Sequence, residues 1–287
     1  MSTHLEQFYE EWHQGAGDNR GNEIRDRDVM ALEYLEDCDS VFELGTGSGI
    51  VLNMVRASTK AGVDISPSAV ALAERTLGGP NHSDLRVLNI DSEDLPWDAN
   101  SFEGVMAVEV LEHLFDPVHA LAELNRILKD RGKLVVTVPN IGYFAYRLYH
   151  LRSGEMTDFH GNGVVLSEHI RFFGTKTMAH LLELTGFDVV RVRGAMKQVV
   201  ASQTERTTGD HRSPLSRVLQ ALRPTPTNAL TQANSLFRLW KAFPSLFAVG
   251  LVFEAVKRGP SRFRHNAAID HQLRTDSQRK LNVSSIS

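Results

Sequence analysis

The stretch "VFELGTGSGI", residues 41–50, places three glycines at alternate positions directly after a short apolar run. Gly45, Gly47 and Gly49 let the chain adopt positive φ and let a ligand approach the main chain closely. A helix that starts behind such a turn also presents N–H groups without partners inside the helix. The stretch therefore predicts a strand, a ligand-binding turn and a helix, with the acid Glu43 in front of the turn.

The same alternation of strand and helix continues along the chain. Short apolar strands are expected at 60–65, 85–90, 102–108 and 133–138, and helices that begin with Ser-Pro at 66 and Asp-Pro at 116 lie between them. This rhythm predicts an α/β fold with a Rossmann-like, doubly wound parallel sheet. Ligands bind such sheets beyond the carboxyl ends of the strands, so the residues expected to share one rim are Gly45, Asp64, Asp91 and Glu109.

Changes in composition predict the organisation of the whole chain. The expected segments are an N-terminal helical cap at 1–37, a core at 38–200, a helical lid or membrane-facing insertion at 201–245, the last strand at 246–258 and a disordered basic tail at 259–287.

Composition excludes several classes of protein. The single cysteine, Cys38, excludes an intrachain disulfide and a multi-cysteine zinc site, and it suits a reducing cytoplasm. The start, "MSTHLEQFYEEWHQ", has neither the basic nor the apolar region of a secretory signal. The longest apolar stretch, residues 246–253, is too short to span a bilayer. We expect a cytoplasmic protein that can also contact a membrane surface.

Charge is distributed unevenly along the 287 residues, although the net charge is only −4. Residues 1–100 hold 7 Lys and Arg against 19 Asp and Glu, whereas residues 191–287 hold 16 against 5. Two interpretations remain open: solvated faces with a basic tail, or a basic third that meets an anionic partner such as phospholipid, nucleotide-sugar or RNA.

The glycine turn narrows the choice of ligand. A phosphate-binding P-loop requires Gly-Lys-Ser/Thr, which does not follow here. A dinucleotide fingerprint requires Gly or Ala at position 50, where the bulk of Ile50 would obstruct a pyrophosphate. A ligand with an adenosine, an ammonium and a carboxylate fits better, and S-adenosylmethionine has these groups. Glu43 would then accept the ammonium, and Asp64, 19 residues after Gly45, would accept the ribose hydroxyls.

The motifs "ELGTGSG" (43–49), "GVDIS" (62–66), "NIDSEDLPWDANSFEGVMAVEVLEHL" (89–114) and "LKDRGKLVVTVPN" (128–140) resemble, in order and spacing, those of class I S-adenosylmethionine-dependent methyltransferases. The resemblance covers about residues 38–190. It implies a seven-stranded sheet with an antiparallel last strand, supplied by 246–257, and a helical insertion before that strand. The implied donor-binding residues are Glu43, Gly45, Thr46 and Gly47 at the methionine part, Asp64 and Ile65 at the ribose and adenine, Asp91 and Ser92 at the adenine edge, and Val108 and Glu109 near the sulfonium.

Methyl transfer requires alignment of donor and acceptor, and it requires a base where the acceptor loses a proton. His113 in "EVLEH" and His169 in "LSEHIRFF" are the candidate catalytic residues, with His160 nearby in sequence. If "EVLEH" is helical, Glu109 shares a face with Glu112 and His113. The E-x-x-E-H pattern resembles ubiquinone-pathway O-methyltransferases. It also resembles small-RNA 2′-O-methyltransferases, in which two Glu and two His hold a divalent metal, although we do not expect a metal here.

The sequence contains weaker signals for the acceptor than for the donor. Residues 138–156 resemble methionine-linked bacterial methyltransferase-like proteins, and their aromatic side chains either line an acceptor pocket or pack on the sheet edge. Residues 215–243 form two amphipathic patterns that fit a lid or a membrane contact. We expect a small-molecule or lipid-linked acceptor methylated at oxygen. A metal-dependent RNA 2′-O-methyltransferase and a non-catalytic donor-binding regulator are the alternatives, and the lack of a base-stacking module argues against nucleic acid.

Overall fold

The computed structural model describes residues 10, 23–79, 82–154, 169–196, 199–202 and 243–261. The strands in this part of the chain are β1 (Glu23–Arg25), β2 (Ser40–Leu44), β3 (Thr59–Asp64), β4 (Asp84–Val87), β5 (Phe102–Val108), β6 (Leu128–Pro139), β7 (Phe187–Ala195), β8 (Val199–Ser202) and β9 (Gly250–Lys257). The helices are α1 (Asp26–Tyr34), α2 (Ile50–Met54), α3 (Pro67–Thr76), α4 (Pro117–Ile127), α5 (Phe144–Ser153), α6 (Thr175–Leu184) and α7 (Pro244–Phe247), with a 3₁₀ turn at Leu111–His113.

Seven strands form one sheet in the order β4-β3-β2-β5-β6-β9-β7. β2 to β6 are parallel, whereas β9 is antiparallel to both β6 and β7. The predicted doubly wound sheet with an antiparallel last strand is therefore confirmed. The predicted helical insertion falls almost wholly outside the described residues, and α7 lies at its end.

Successive side chains of the central strands point to opposite faces of the sheet, so an apolar layer forms on each face. On one face, Val105 of β5 packs in the cluster that includes Leu124 of α4 and Met178 of α6. On the other, Met106 packs in the cluster that includes Leu32 of α1 and Leu52 of α2. These layers cover both faces and leave the carboxyl ends of the parallel strands as the common rim.

Helix caps behave as the sequence predicts at two points. The Ser66 hydroxyl accepts a hydrogen bond from the Ala69 amide at 3.2 Å, and the Asp116 carboxylate accepts one from the His119 amide at 2.9 Å. Each cap satisfies an amide at a helix start that lacks an intrahelical partner. The helices beside the rim therefore begin at defined positions.

Several elements differ from their expected bounds. In the expected N-terminal helical cap, Glu23–Arg25 pairs with β8 as a strand, and α1 begins only at Asp26. The helix after the glycine turn is short and ends at Met54, since Val55 is extended. The strand expected at 85–90 ends at Val87. The last strand, expected from residue 246, begins at Gly250, because Pro244–Phe247 is helical.

The helices of the described ranges are all too short or too polar to cross a bilayer.

Candidate active site

The glycine turn joins β2 to α2 at the rim of the sheet. The amides of Gly45 and Thr46 both donate to the carbonyl of Val63, at 2.8 and 3.1 Å, which ties the turn to the end of β3. Gly45 and Gly47 have φ of 72° and 50°, in the left-handed region that disfavours side chains. A Cβ at Gly45 would overlap Val110, whereas a Cβ at Gly47 would meet nothing within 4 Å. The turn is therefore closely packed at Gly45 and open at Gly47.

Asp64 lies at the end of β3 beside this turn, and its side chain is buried. Its carboxylate accepts the amide of Gly47 at 2.9 Å and the amide of Ser66 at 3.0 Å, one on each oxygen. A carboxylate oxygen has more than one acceptor site, so both oxygens retain capacity for ligand hydroxyls. The predicted ribose-binding residue is thus fixed by the same turn that it would help to complete.

Glu43 and Thr46 carry buried polar atoms that need a partner. Among the described residues, Oε2 of Glu43 and Oγ1 of Thr46 have no hydrogen bond. Burial raises the pKa of Glu43 well above its ordinary value, and the nearby charges of Asp28 and Asp64 raise it further. An unbonded buried acceptor is costly unless a ligand completes it. The two orphaned oxygens fit a donor that brings an ammonium to this turn.

Glu109 follows β5 at the same rim and is held from two sides. Its backbone has φ of 53°, and its amide donates to both the carbonyl and the hydroxyl of Thr137, at 3.1 Å each. Its carboxylate lies 2.9 Å from the guanidinium of Arg27. The expectation that Glu109 shares a helix face with Glu112 and His113 is wrong. The left-handed backbone at Glu109 ends the strand, and only Leu111–His113 forms a 3₁₀ turn.

Arg27 and Asp28 are site residues that the sequence analysis missed. Nε of Arg27 lies 3.3 Å from the Asp28 carboxylate, so one guanidinium serves two acids. Burial tends to lower the pKa of Arg27, but the charges of Glu109 and Asp28 raise it above its ordinary value. The pKa of Asp28 is raised because burial outweighs its pairing with Arg27. The signal in the sequence was "IRDRD", a dense charge run at a helix start that is otherwise expected to face solvent.

The two candidate catalytic histidines lie side by side. The ring centroids of His113 and His169 are 4.9 Å apart at an angle of 67°. The amides of Ile170 and Arg171 donate to the carbonyl of Glu112 at 3.0 Å each, which brings the 169–171 segment against the 3₁₀ turn. Nε2 of His113 lies 4.0 Å from Oε1 of the buried Glu112.

The same three side chains could hold a metal ion. One ligand atom from each of Glu112, His113 and His169 lies within 4.8 Å of the others. This spacing is compatible with one divalent ion, which imidazole and carboxylate both bind. Glu109, the fourth candidate ligand in the E-x-x-E-H pattern, is instead paired with Arg27.

The remaining predicted residues follow β3 and β4 or end β5. Asp91 accepts the amides of Phe115 and Asp116, at 3.2 and 2.8 Å, and Ser92 donates its hydroxyl to the Asn89 carbonyl. The Asp91 bonds fix the loop after the 3₁₀ turn and the Ser92 bond closes its own turn, so a structural role accounts for both residues. The proposed donor contacts of Asp91, Ser92, Ile65 and Val108 stay predictions. His160 and residues 215–242 lie outside the described residues.

Part of the chain is similar to known methyltransferases. Residues 42–136 match the sequence model of a family described as a methyltransferase domain. A ubiquinone/menaquinone biosynthesis C-methyltransferase of Citrifermentans bemidjiense is 24% identical over 167 residues, which cover 53% of this chain and 71% of that protein. A ubiquinone biosynthesis O-methyltransferase of Coxiella burnetii is 30% identical over 138 residues, covering 44% of this chain and 56% of that protein.

Solved structures share the fold. In the complex between the Haloferax volcanii Trm112 methyltransferase activator and a methyltransferase, one chain aligns with a TM-score of 0.52 and 19% identity. The alignment covers 93% of this chain and 100% of that one. At this identity the likeness supports the fold alone.

Proposed function

We propose that this chain, a class I S-adenosylmethionine-dependent methyltransferase, methylates an oxygen atom of a small-molecule or lipid-linked acceptor, with His169 as the base. The observation that carries this proposal is the His113–His169 pair, 4.9 Å apart beside buried Glu112, on the rim that also holds the glycine turn.

Residues at the rim offer hydrogen-bonding groups that would suit the donor. Glu43 and Thr46 would accept hydrogen bonds from the ammonium, and Asp64 would accept the ribose hydroxyls. The open space at Gly47 admits the donor against the main chain. When bound, this donor supplies a methyl group attached to a positively charged sulfur. The sulfur is the leaving group and departs as a neutral thioether.

Other residues that follow β3, β4 and β5 would hold the rest of the donor. Asp91, Ser92 and Ile65 are the proposed contacts of the adenine, while Val108 and Glu109 lie at the end of β5, where the sulfonium is expected. Arg27 fixes the Glu109 carboxylate by its ion pair and so defines where that negative charge lies. These assignments rest on the order of the elements at the rim.

The histidines would serve the acceptor. His169, as a neutral imidazole, would take the proton of the acceptor hydroxyl as the oxygen attacks the methyl carbon. His113 presents Nε2 to the buried carboxylate of Glu112 at 4.0 Å, so Glu112 would orient that ring. Glu112 would therefore act through His113 as a positioning residue, and the two rings would together face the acceptor oxygen.

The nature of the acceptor is supported by two kinds of observation. The relatives include ubiquinone-pathway enzymes named as O- and C-methyltransferases, and the higher identity is to the O-methyltransferase. A hydroxyl acceptor requires loss of a proton, which suits a site with two imidazoles.

A second candidate function is metal-dependent 2′-O-methylation of RNA. The spacing of Glu112, His113 and His169 favours it, since all three could bind one ion. The ion pair between Arg27 and Glu109 counts against it, because a fourth ligand would have to leave a buried arginine.

The test is methyl transfer from isotopically labelled donor to hydroxylated small molecules, polar lipids and short RNA, each with and without EDTA. Transfer to a small or lipid acceptor that EDTA leaves unchanged supports the proposal. EDTA-sensitive labelling of RNA would replace it with the second candidate. Donor binding without transfer to any acceptor would instead favour the regulator alternative.

A further inference from the structure

Helix α5 is ten residues long, and none of its residues is buried. Phe144, Leu148 and Leu151 follow one another at helical spacing of four and three residues and share one face. They are 43%, 62% and 85% exposed. We call these three residues the α5 stripe. An apolar face this open is unusual for a helix that packs on a core.

Positive charge flanks the α5 stripe on both sides. Arg147 and Arg152 lie on either edge of it by helical geometry, and the helix has no acidic residue. Arginine stems can lie along apolar surface while their charged ends reach phosphate. The arrangement of an apolar stripe between two arginines fits an interface between hydrocarbon and anionic headgroups.

The opposite face of α5 is occupied within the chain. Tyr146, His150 and Ser153 lie on that face, and each interacts with other residues of the protein. The tyrosine ring, for example, contacts Tyr143 with centroids 5.5 Å apart. The face opposite the α5 stripe therefore carries side chains that have partners, and the stripe is the exposed face.

The start of α5 is firmly anchored. Asn140 is fully buried, and its amide nitrogen donates to the carbonyls of Pro244 and Ala248, at 3.1 and 2.7 Å. The rings of Phe144 and Phe247 lie 5.9 Å apart, so α5 and α7 adjoin. Phe243, which directly precedes α7, is 57% exposed.

The α5 stripe is close to the active site along the chain. α5 begins five residues after β6 ends at the rim, and the Ile141 amide donates to the carbonyl of Phe173, four residues beyond His169. A surface bound through α5 would therefore lie beside the acceptor side of the site.

We propose that α5 is an interfacial helix that docks the protein on an anionic lipid bilayer, with the α5 stripe in the headgroup boundary and Arg147 and Arg152 on lipid phosphates. This contact differs from the one expected at 215–243. It does not depend on the acceptor being a lipid, so it can fail or succeed separately from the proposed function.

The test is flotation of the full chain with vesicles of phosphatidylcholine, alone or with about one quarter phosphatidylglycerol. Wild type should float with the anionic vesicles, and salt should weaken the association. The double variant Leu148→Glu/Leu151→Glu should remain at the bottom of the gradient. Arg147→Gln/Arg152→Gln should lose about fivefold in partitioning for each charge removed.

Val190→Glu is the matched control, because Val190 is 62% exposed and belongs to β7 and not to α5. It should float like the wild type. Donor binding by calorimetry and the melting temperature should be unchanged in the stripe variant, which would show that it folds. His169→Asn, conversely, should abolish transfer and still float.

Three results would overturn the proposal. The first is wild type that ignores anionic vesicles. The second is a stripe variant that floats normally while Trp240→Glu does not, which would place the contact in 215–243. The third is a wild-type dimer that the stripe substitutions convert to a monomer without any flotation, which would make the stripe an interface between copies.

Discussion

The guanidinium of Arg27 lies 2.9 Å from the carboxylate of Glu109, so that helix α1 supplies the counter-charge to the end of β5. Both side chains are 14% exposed, which places this ion pair largely out of water. Replacing only one residue of such a pair is costly, because the charge of the other residue stays buried without a counter-charge. Its position at the rim links the stability of the fold to the shape of the donor site.

Replacing Arg27 by Met should lower the free energy of unfolding by about 3 kcal/mol, since Glu109 and Asp28 lose their shared partner. The double variant Arg27→Met/Glu109→Gln should recover part of that loss, because it removes one of the stranded charges. Urea unfolding of both single variants and the double variant measures the coupling. Strict additivity would mean that the pair does not interact.

Glu43→Gln should alter how stability depends on pH. The folded-state pKa of Glu43 is raised above its ordinary value of 4.5, because of burial and the charges of Asp28 and Asp64. The protonated form is therefore favoured by folding, and its contribution is complete below 4.5 and lost as pH rises through the folded pKa. The variant, which cannot ionise, should lose less stability over that window than the wild type. Urea unfolding across the window gives the comparison, and parallel curves would contradict it.

The same residue should couple donor binding to proton release. An ammonium placed against Glu43 favours its ionised form, so the proton that burial retains should leave on binding. Calorimetry with the donor in buffers of different ionisation enthalpy should then give buffer-dependent heats for the wild type. For Glu43→Gln the heat should not depend on the buffer, and Glu103→Gln, an exposed acid of β5, serves as control.

Gly45→Ala should mainly lower the stability of the fold, whereas Gly47→Ala should mainly weaken donor binding. Gly45→Ala carries the cost of the left-handed backbone, about 1–2 kcal/mol, and also the overlap of its Cβ with Val110, about 1–3 kcal/mol more. A Cβ at Gly47 meets open space, so that variant should lose only the cost of the left-handed backbone, about 1–2 kcal/mol. It should nevertheless weaken donor binding at least about tenfold, because the space is where the donor approaches. Thermal unfolding and calorimetry on both variants would show whether the open side of the turn is the ligand side.

Sequence periodicity was sufficient for the sheet and the glycine turn, because alternation and helix caps are local signals. The position of Asp64 beside Gly47 also followed, since parallel strands end at a common rim. The Arg27–Glu109 pair did not follow, because it joins segments more than eighty residues apart whose meeting depends on how α1 packs. The left-handed backbone at Glu109 was hidden by a pattern that is equally compatible with a helix.

His169 and His113 should differ in their effect on turnover. If His169 accepts the acceptor proton, His169→Asn should lower kcat by about 10²–10⁴ and leave the donor Kd unchanged. His113→Asn and Glu112→Gln should lower kcat less and should mainly raise KM for the acceptor, because they change how the acceptor is positioned beside His169 and not the base itself. Steady-state rates across pH, with KM and kcat separated, distinguish these roles.

The assays should include EDTA and, separately, added Mg²⁺ or Mn²⁺, because Glu112, His113 and His169 are also spaced for a metal. Equal losses in all three variants that added metal partly restores would assign the cluster to an ion. A selective loss at His169 that metal does not change would assign it to proton transfer.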